Sequence, residues 1–393
     1  IQSDVASVKL KNTKYSYLPS IIGGGTHGYN WGQTIDQFTN QFATNRVQYN
    51  NFYLSSSFVL FSGLQNYYSQ KIIEIDWQSQ AYNKQIEERN LKIKVATTYL
   101  QALLNNEIYL ALEEQLKLTR IQKVRITNLI EEEREPKHKL FEILAQEETD
   151  KYNILKANND LNYTLLLLQQ LMDMPYHSNF NISTFDTISN SNSSINEIDI
   201  SSFPELKLSD LNIQKQELNT QSTKGRLYPT LLANGSLGSG YSGNSTYLTP
   251  TGESLSKPFG TQINDNFYQS ASLSLTIPIF NKNTTNTQIQ INRLESEQLK
   301  LDKEKQVLEI QNKIEQLKMN VSNSRAQFNS LKSVVKANEI NYQNSLIQFE
   351  NGVIAYFTLL EAKNRLFKAK SDLTQVKFQM LANNLILGFY LSK

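Results

Sequence analysis

The chain has 393 residues, no cysteine, 39 Lys and Arg against 37 Asp and Glu for a net charge of +2, and a mean hydropathy of −0.45. Such a balance leaves no basic footprint for nucleic acid, and the absence of cysteine removes disulfides, thiolate nucleophiles and Cys-ligated metals while fitting any compartment. No apolar run, such as that around Tyr163 to Leu168, approaches the ~20 residues a membrane helix needs, and no charged-then-apolar leader stands at Ile1, so the chain reads as cytosolic or already processed.

Glycine is confined: 13 of the 15 lie in residues 23 to 63 and 225 to 260, and the 72 residues from Leu64 to Glu135 and the 69 from Asn283 to Asn351 hold neither Gly nor Pro. In chain order, a first helix leads to a glycine-studded strand over about 17–31 and a second over about 49–62, with Phe52, Leu54, Phe58 and Leu60 on one face. A polar connection, Gln33 to Gln48, joins them. A long helix follows over about 64–133, with a stripe at Leu100, Leu104, Ile108, Leu112 and Leu116, and then a returning helix over about 139–173. At 1.5 Å per residue, each Gly- and Pro-free stretch makes a helix roughly 100 Å long.

The second half repeats this order. After a helix come strands over about 226–241 and 265–281, joined by the polar stretch Ser242 to Asp265; from Phe267 to Ile279 the odd positions are almost all apolar and the even ones polar. A long helix over about 283–351 carries a heptad seam at Val307, Ile310, Ile314, Leu317 and Val321. A returning helix over about 353–390 continues it at Leu359, Ala362, Leu366, Ala369, Leu373, Val376 and Met380.

The two halves are copies. YLPSII (17 to 22) answers to LYPTLL (227 to 232), VLFSG (59 to 63) to PIFNK (278 to 282) and KLFE (139 to 142) to TLLE (358 to 361), the last two at one offset of 219, which requires long helices of equal length. Strands of this length, alternating and ending in aromatics, fit a transmembrane β-barrel, and equally a soluble antiparallel sheet. Four strands cannot close a membrane barrel, which needs about eight, and an open edge cannot face lipid; strands that cross a membrane must therefore be pooled among subunits.

LPS before the first strand, the strand ends VLFSG and PIFNK, and the turn-and-helix NGVIAYFTLLEAKNRL (351 to 366) together resemble the TolC family of outer-membrane efflux proteins. The resemblance implies a mixed α and β membrane protein: a long α-helical coiled-coil barrel in the periplasm plus a transmembrane β-barrel shared among subunits, four strands from each chain of a homotrimer. It divides the chain into a first repeat (1–174), an equatorial segment (175–209) and a second repeat (210–393). It further implies a passive exit duct in the bacterial outer membrane, in contact with its lipid and coupled through a periplasmic adaptor to an inner-membrane transporter, or the outer component of a type I secretion system. Family members begin with a signal peptide and more of the first helix, which places Ile1 inside that helix.

The same resemblance nominates residues. Tyr29, Trp31, Tyr241 and Phe267 are barrel aromatic positions. Gly352 and Val353 form the second helical tip, where an adaptor docks; at the first tip Glu133 stands where glycine is expected, and Pro136 follows to force the break. A plain helix stop explains Gly352 equally well. Glu361 and Glu142 are candidates for an acidic ring at the pore entrance, in three copies each; as solvated helix N-terminal carboxylates they need no such role. The family's gate-locking polar positions hold Phe349 and Ile354, so a polar lock of the usual type is not expected.

Other chemistry is sparse. His27, His138 and His177 have no ligand spacing, GGG (23 to 25) and GSLGSG (235 to 240) lack the Lys-Ser/Thr of a phosphate loop and read as strand glycines beside large neighbours, and no serine elbow is present. Neither an enzyme, a cofactor nor a metal is expected. A structural coiled-coil rod with a soluble β cap and a secreted helical pore-forming toxin are the rival readings of the same helices.

Overall fold

In the computed structural model, residues 1–43, 46–178, 180–183 and 199–391 are described. They form two compact units, Ile1–Asn83 with Pro204–Glu304 and Lys84–Phe203 with Lys305–Lys393, so each unit draws on both halves of the sequence. Most of the proposed equatorial segment's middle, residues 184–198, lies outside the described residues.

The first unit is built on one antiparallel sheet of β1 (Ser20–Asn30), β4 (Val47–Ser62), β5 (Thr230–Ser242) and β8 (Tyr268–Thr276), in the order β1-β4-β5-β8. Hairpin β2 (Thr34–Ile35) with β3 (Phe42–Ala43) follows β1, and hairpin β6 (Thr246–Leu248) with β7 (Ser254–Ser256) follows β5. Helix α1 (Gln2–Asn12) leads into β1, α4 (Pro204–Gly225) into β5, and the short α5 (Phe259–Asp265) into β8.

The strand register corrects two sequence expectations. Between Val59 and Phe61 the pairing to Leu232 and Leu231 skips Leu60, a bulge that gives Phe61 the place that period-two counting assigns to Leu60. The strand expected over about 265–281 is shorter: β8 begins at Tyr268 and stops at Thr276, short of Pro278, which has no N–H for a ladder, and the end of the polar connection before it, residues 259–265, is the helix α5.

Two helices of 67 residues each, α2 (Gln65–Glu131) and α6 (Thr284–Glu350), start 219 residues apart and leave the sheet in the same way. Each is preceded by two consecutive residues in the left-handed region, Gly63 and Leu64 before α2 and Lys282 and Asn283 before α6. Without Gly or Pro nothing interrupts either helix. Exposed pairs such as Lys71–Glu74 (2.8 Å) and Lys318–Glu315 (2.7 Å) add a few tenths of a kcal/mol each.

In the second unit α3 (His138–Leu171) and α7 (Tyr356–Leu391) return along these helices. The seams read from the sequence are where burial falls: Ile310, Ile314 and Leu317 on α6, and Leu359, Ala362, Leu366 and Ala369 on α7. Leu103 and Leu104 of α2 pack with Phe378 of α7. No described helix is long and apolar enough to cross a membrane.

Candidate functional site

The sheet has two unlike faces. Continuous register through β4, β5 and β8 puts Ser55, Ser236 and Ser270 side by side, and Ser57, Asn234 and Ser272 in the next row, while Leu54 and Leu237, then Phe58, Ala233 and Leu273, share the opposite face. The four strands contain no Asp, Glu, Lys or Arg. Phe52, Leu54, Leu237, Leu273 and Leu275 are exposed in the single chain. One face therefore suits hydrocarbon and the other water, and among the described residues the outer strands β1 and β8 each keep an unpaired edge.

Glycine and tyrosine interlock on the polar face. A Cβ at Gly24 would lie 2.6 Å from the ring of Tyr53, its register partner; at Gly28 it would lie 2.6 Å from Tyr49, and at Gly238 2.5 Å from Tyr268. Each ring lies across the strand where its neighbour has no side chain, an arrangement that keeps a glycine-rich strand in register. This is the role expected of the glycine runs, and it explains why they need no phosphate.

Tyr29, Trp31, Tyr241 and Phe267 all lie at one end of this sheet, Tyr29 and Trp31 at its β1 edge and Phe267 at its β8 edge. Tyr29 and Tyr241 point to the apolar face, while Trp31 directly follows β1 and Phe267 directly precedes β8. The Tyr29 and Trp31 rings are 5.9 Å apart, and the Arg46 guanidinium sits 5.0 Å from the Tyr29 ring. Aromatic and cationic groups at the rim of an apolar band are what a membrane–water interface accommodates best.

In the second unit the two tips are built alike. After α2 the N–H of Glu133 donates to the Ile130 carbonyl (3.1 Å) and that of Arg134 to Leu129 (2.8 Å); after α6 Gly352 donates to Phe349 (3.0 Å) and Val353 to Gln348 (2.8 Å). Both are Schellman closures, with Glu133 at φ +59° and Gly352 at +72°. The break at the first tip is thus made by Glu133 itself and not by Pro136, whose carbonyl instead accepts from Lys139 N in the first turn of α3. Ile126, Ile143, Phe349, Tyr356 and Leu359 form the buried cluster under the tips, with Ile354 packed against it, so Phe349 and Ile354 are apolar core. Val353, Phe357 and Phe141 remain exposed.

Glu361 and Glu142 are both solvent-accessible, and each is paired on its own helix. Glu361 meets Arg365 at 2.6 Å, and Glu142 meets Lys139 at 3.0 Å. A ring built from them would be partly neutralised.

Sequence reasoning missed a buried polar cluster joining α2, α3 and α7. Asp150, fully buried, accepts from Gln115 Nε2 (2.9 Å), Thr119 Oγ1 (2.5 Å) and Gln146 Nε2 (2.8 Å); Lys363 Nζ donates to Thr119 Oγ1 (2.8 Å). Burial pushes the Lys363 ammonium below its ordinary range, and the Asp150 charge opposes that shift. One turn before Asp150, Glu147 bonds to Lys123 (2.9 Å), with Arg120 and Lys151 each at 3.5 Å; the Lys123 hydrogen bond holds its carboxyl below the usual range. Among the described residues no cluster of His, Asp and Glu could hold a metal ion.

Residues 200–391 match the family model for outer membrane efflux proteins. No protein of curated function matches the sequence. Solved structures with a similar fold include CusC, whose structures concern folding and transmembrane channel formation (TM-score 0.80, 15% identity, 99% of this chain and 87% of that one). The CmeC outer membrane channel of Campylobacter jejuni is similar at TM-score 0.78 and 14% identity, over 99% of this chain and 81% of that one. The outer membrane protein VceC of Vibrio cholerae is similar at TM-score 0.76 and 9% identity, over 99% and 90%.

Proposed function

We propose, from the match of residues 200–391 to the outer membrane efflux protein family and the likeness of the whole chain's fold to solved outer-membrane channels, that the protein is the passive exit duct of a tripartite efflux pump. The observation that carries this reading is the charge-free, two-faced sheet with both edges open. Four such strands cannot stand alone in lipid, because every edge N–H and C=O must find a partner there. Pairing β8 of one copy with β1 of the next, three times over, closes a barrel of twelve strands with the leucine and phenylalanine face outward and the serine face around water.

The helices then form the periplasmic part. Its two tips, carrying Gly352, Val353, Glu133 and Pro136, meet an adaptor, and the exposed Val353, Phe357 and Phe141 offer it apolar contacts. The chain has no P-loop, so energy for export comes from an inner-membrane transporter. Glu361 and Glu142 face the entrance as rings weakened by Arg365 and Lys139. Envelope fractionation with planar-bilayer recording tests the duct. The chain should sediment with the outer membrane, need detergent for extraction and conduct ions when reconstituted; release into the aqueous fraction without conductance would contradict it.

A further inference from the structure

We propose that the turn Asp36–Asn40 is a size-selecting constriction on the water side of the barrel's outer end, with Phe38 as the side chain that sets it. The proposal rests on the channel reading above. It starts from the hairpin of β2 and β3, whose turn is held by Asn40 N donating to the Asp36 carbonyl (2.8 Å) and Asp36 N donating to the Gln41 carbonyl (3.0 Å). The Asp36 carboxylate, only 3% exposed, accepts from Phe38 N (3.0 Å), Thr39 N (3.4 Å) and the hydroxyl of fully buried Ser242.

The register decides which side of the sheet this turn occupies. Gly238, Gly240 and Ser242 alternate along β5 on the face where Tyr268 covers Gly238 and where Ser236 and Asn234 stand, which is the polar face. The Phe38 ring fills the space where a Gly240 side chain would be. Both anchors of the turn, Gly240 and Ser242, therefore lie on the water side. On the opposite face α5 covers the same stretch of β5: Phe259 packs at a tilt against Tyr241 (5.4 Å) and edge-on to Phe52 (6.3 Å), and Ser239 Oγ donates to the Ile263 carbonyl (2.5 Å). Gln262 also grips Ser242, accepting from its N–H (2.9 Å) and donating to its carbonyl (3.0 Å). The end of β5 is clamped between α5 outside and the turn inside, and three copies would place three Phe38 rings around the bore.

Such a constriction sorts by bulk and not by charge. The strands carry no charged side chain, and the nearby Asp36 carboxylate is enclosed by its three donors. Small solutes of either charge pass; bulky or polymeric ones are hindered.

The cysteine-free sequence makes the test direct. Ser57→Cys puts a single thiol on the polar face, and intact cells are treated with a small membrane-impermeant maleimide or a long polyethylene-glycol maleimide. With the native turn the long reagent should react slowly relative to the small one. In Phe38→Ala, and in Phe38→Ser, which remove the ring from the bore, that ratio should rise about tenfold. The small reagent's rate reports that each variant is folded and inserted. An unchanged ratio in a variant that passes this check overturns the constriction, whereas failure of the small reagent to reach the introduced thiol in the otherwise native protein overturns the channel reading itself.

Discussion

Glu133 and Gly352 occupy the same place 219 residues apart, and both take a left-handed backbone to let the end of a long helix close on itself. For glycine this costs nothing beyond its chain entropy; for glutamate the Cβ crowds the backbone at about 1 kcal/mol. Glu133→Gly should therefore raise stability by about 1 kcal/mol and Gly352→Ala, with open space around it, should lower it by a similar amount. Thermal unfolding of the detergent-solubilised protein reads both, and a fall in Tm for Glu133→Gly would show that its carboxylate does something the backbone does not need. The same complementarity explains what the sequence hid: Gly63 and Gly352 mark two left-handed corners, while their counterparts Lys282 and Glu133 carry no sign of one. Ion pairing was equally invisible. Because Arg365 lies 2.6 Å from Glu361, Arg365→Gln should strengthen block of conductance by divalent cations and Glu361→Gln should weaken it; no change in either would remove this pair from the entrance.

At the scale of elements, the apolar seams of α6 and α7 were legible because burial follows their three-and-four spacing, and the lengths of α2 and α6 because nothing in them can break a helix. The clamp between α2, α3 and α7 was not. Asp150 lies in the run Gln146 to Lys151, where every residue is polar, so periodicity cannot tell which of them turns inward. Only the structure shows Asp150 bonded to Gln115, Thr119 and Gln146, with Lys363 reaching the same threonine. A buried charge without its partner is costly, so Asp150→Ala should destabilise the protein by about 3 kcal/mol. The double variant Asp150→Ala with Lys363→Met should recover most of that loss, because the stranded ammonium is gone. Denaturant unfolding of the four proteins of this cycle measures the coupling, and additive losses would mean that the two groups act independently.

At the scale of the whole molecule, the doubled order of strands and helices was readable because one offset recurs on both sides of each long helix, and alternation in the second hairpin distinguished its two faces. What alternation could not reveal was the bulge at Leu60, the helix inserted before β8, and the packing of the two connections on opposite faces of β5. Those depend on contacts between distant segments. The sheet's open edges lead to the central claim, that three copies pool twelve strands into one barrel. The native mass of the protein extracted from envelopes in detergent, corrected for bound detergent, tests it most directly: the account predicts three times the mass that the same sample shows for one chain under denaturing conditions, and a particle of a single chain would contradict it.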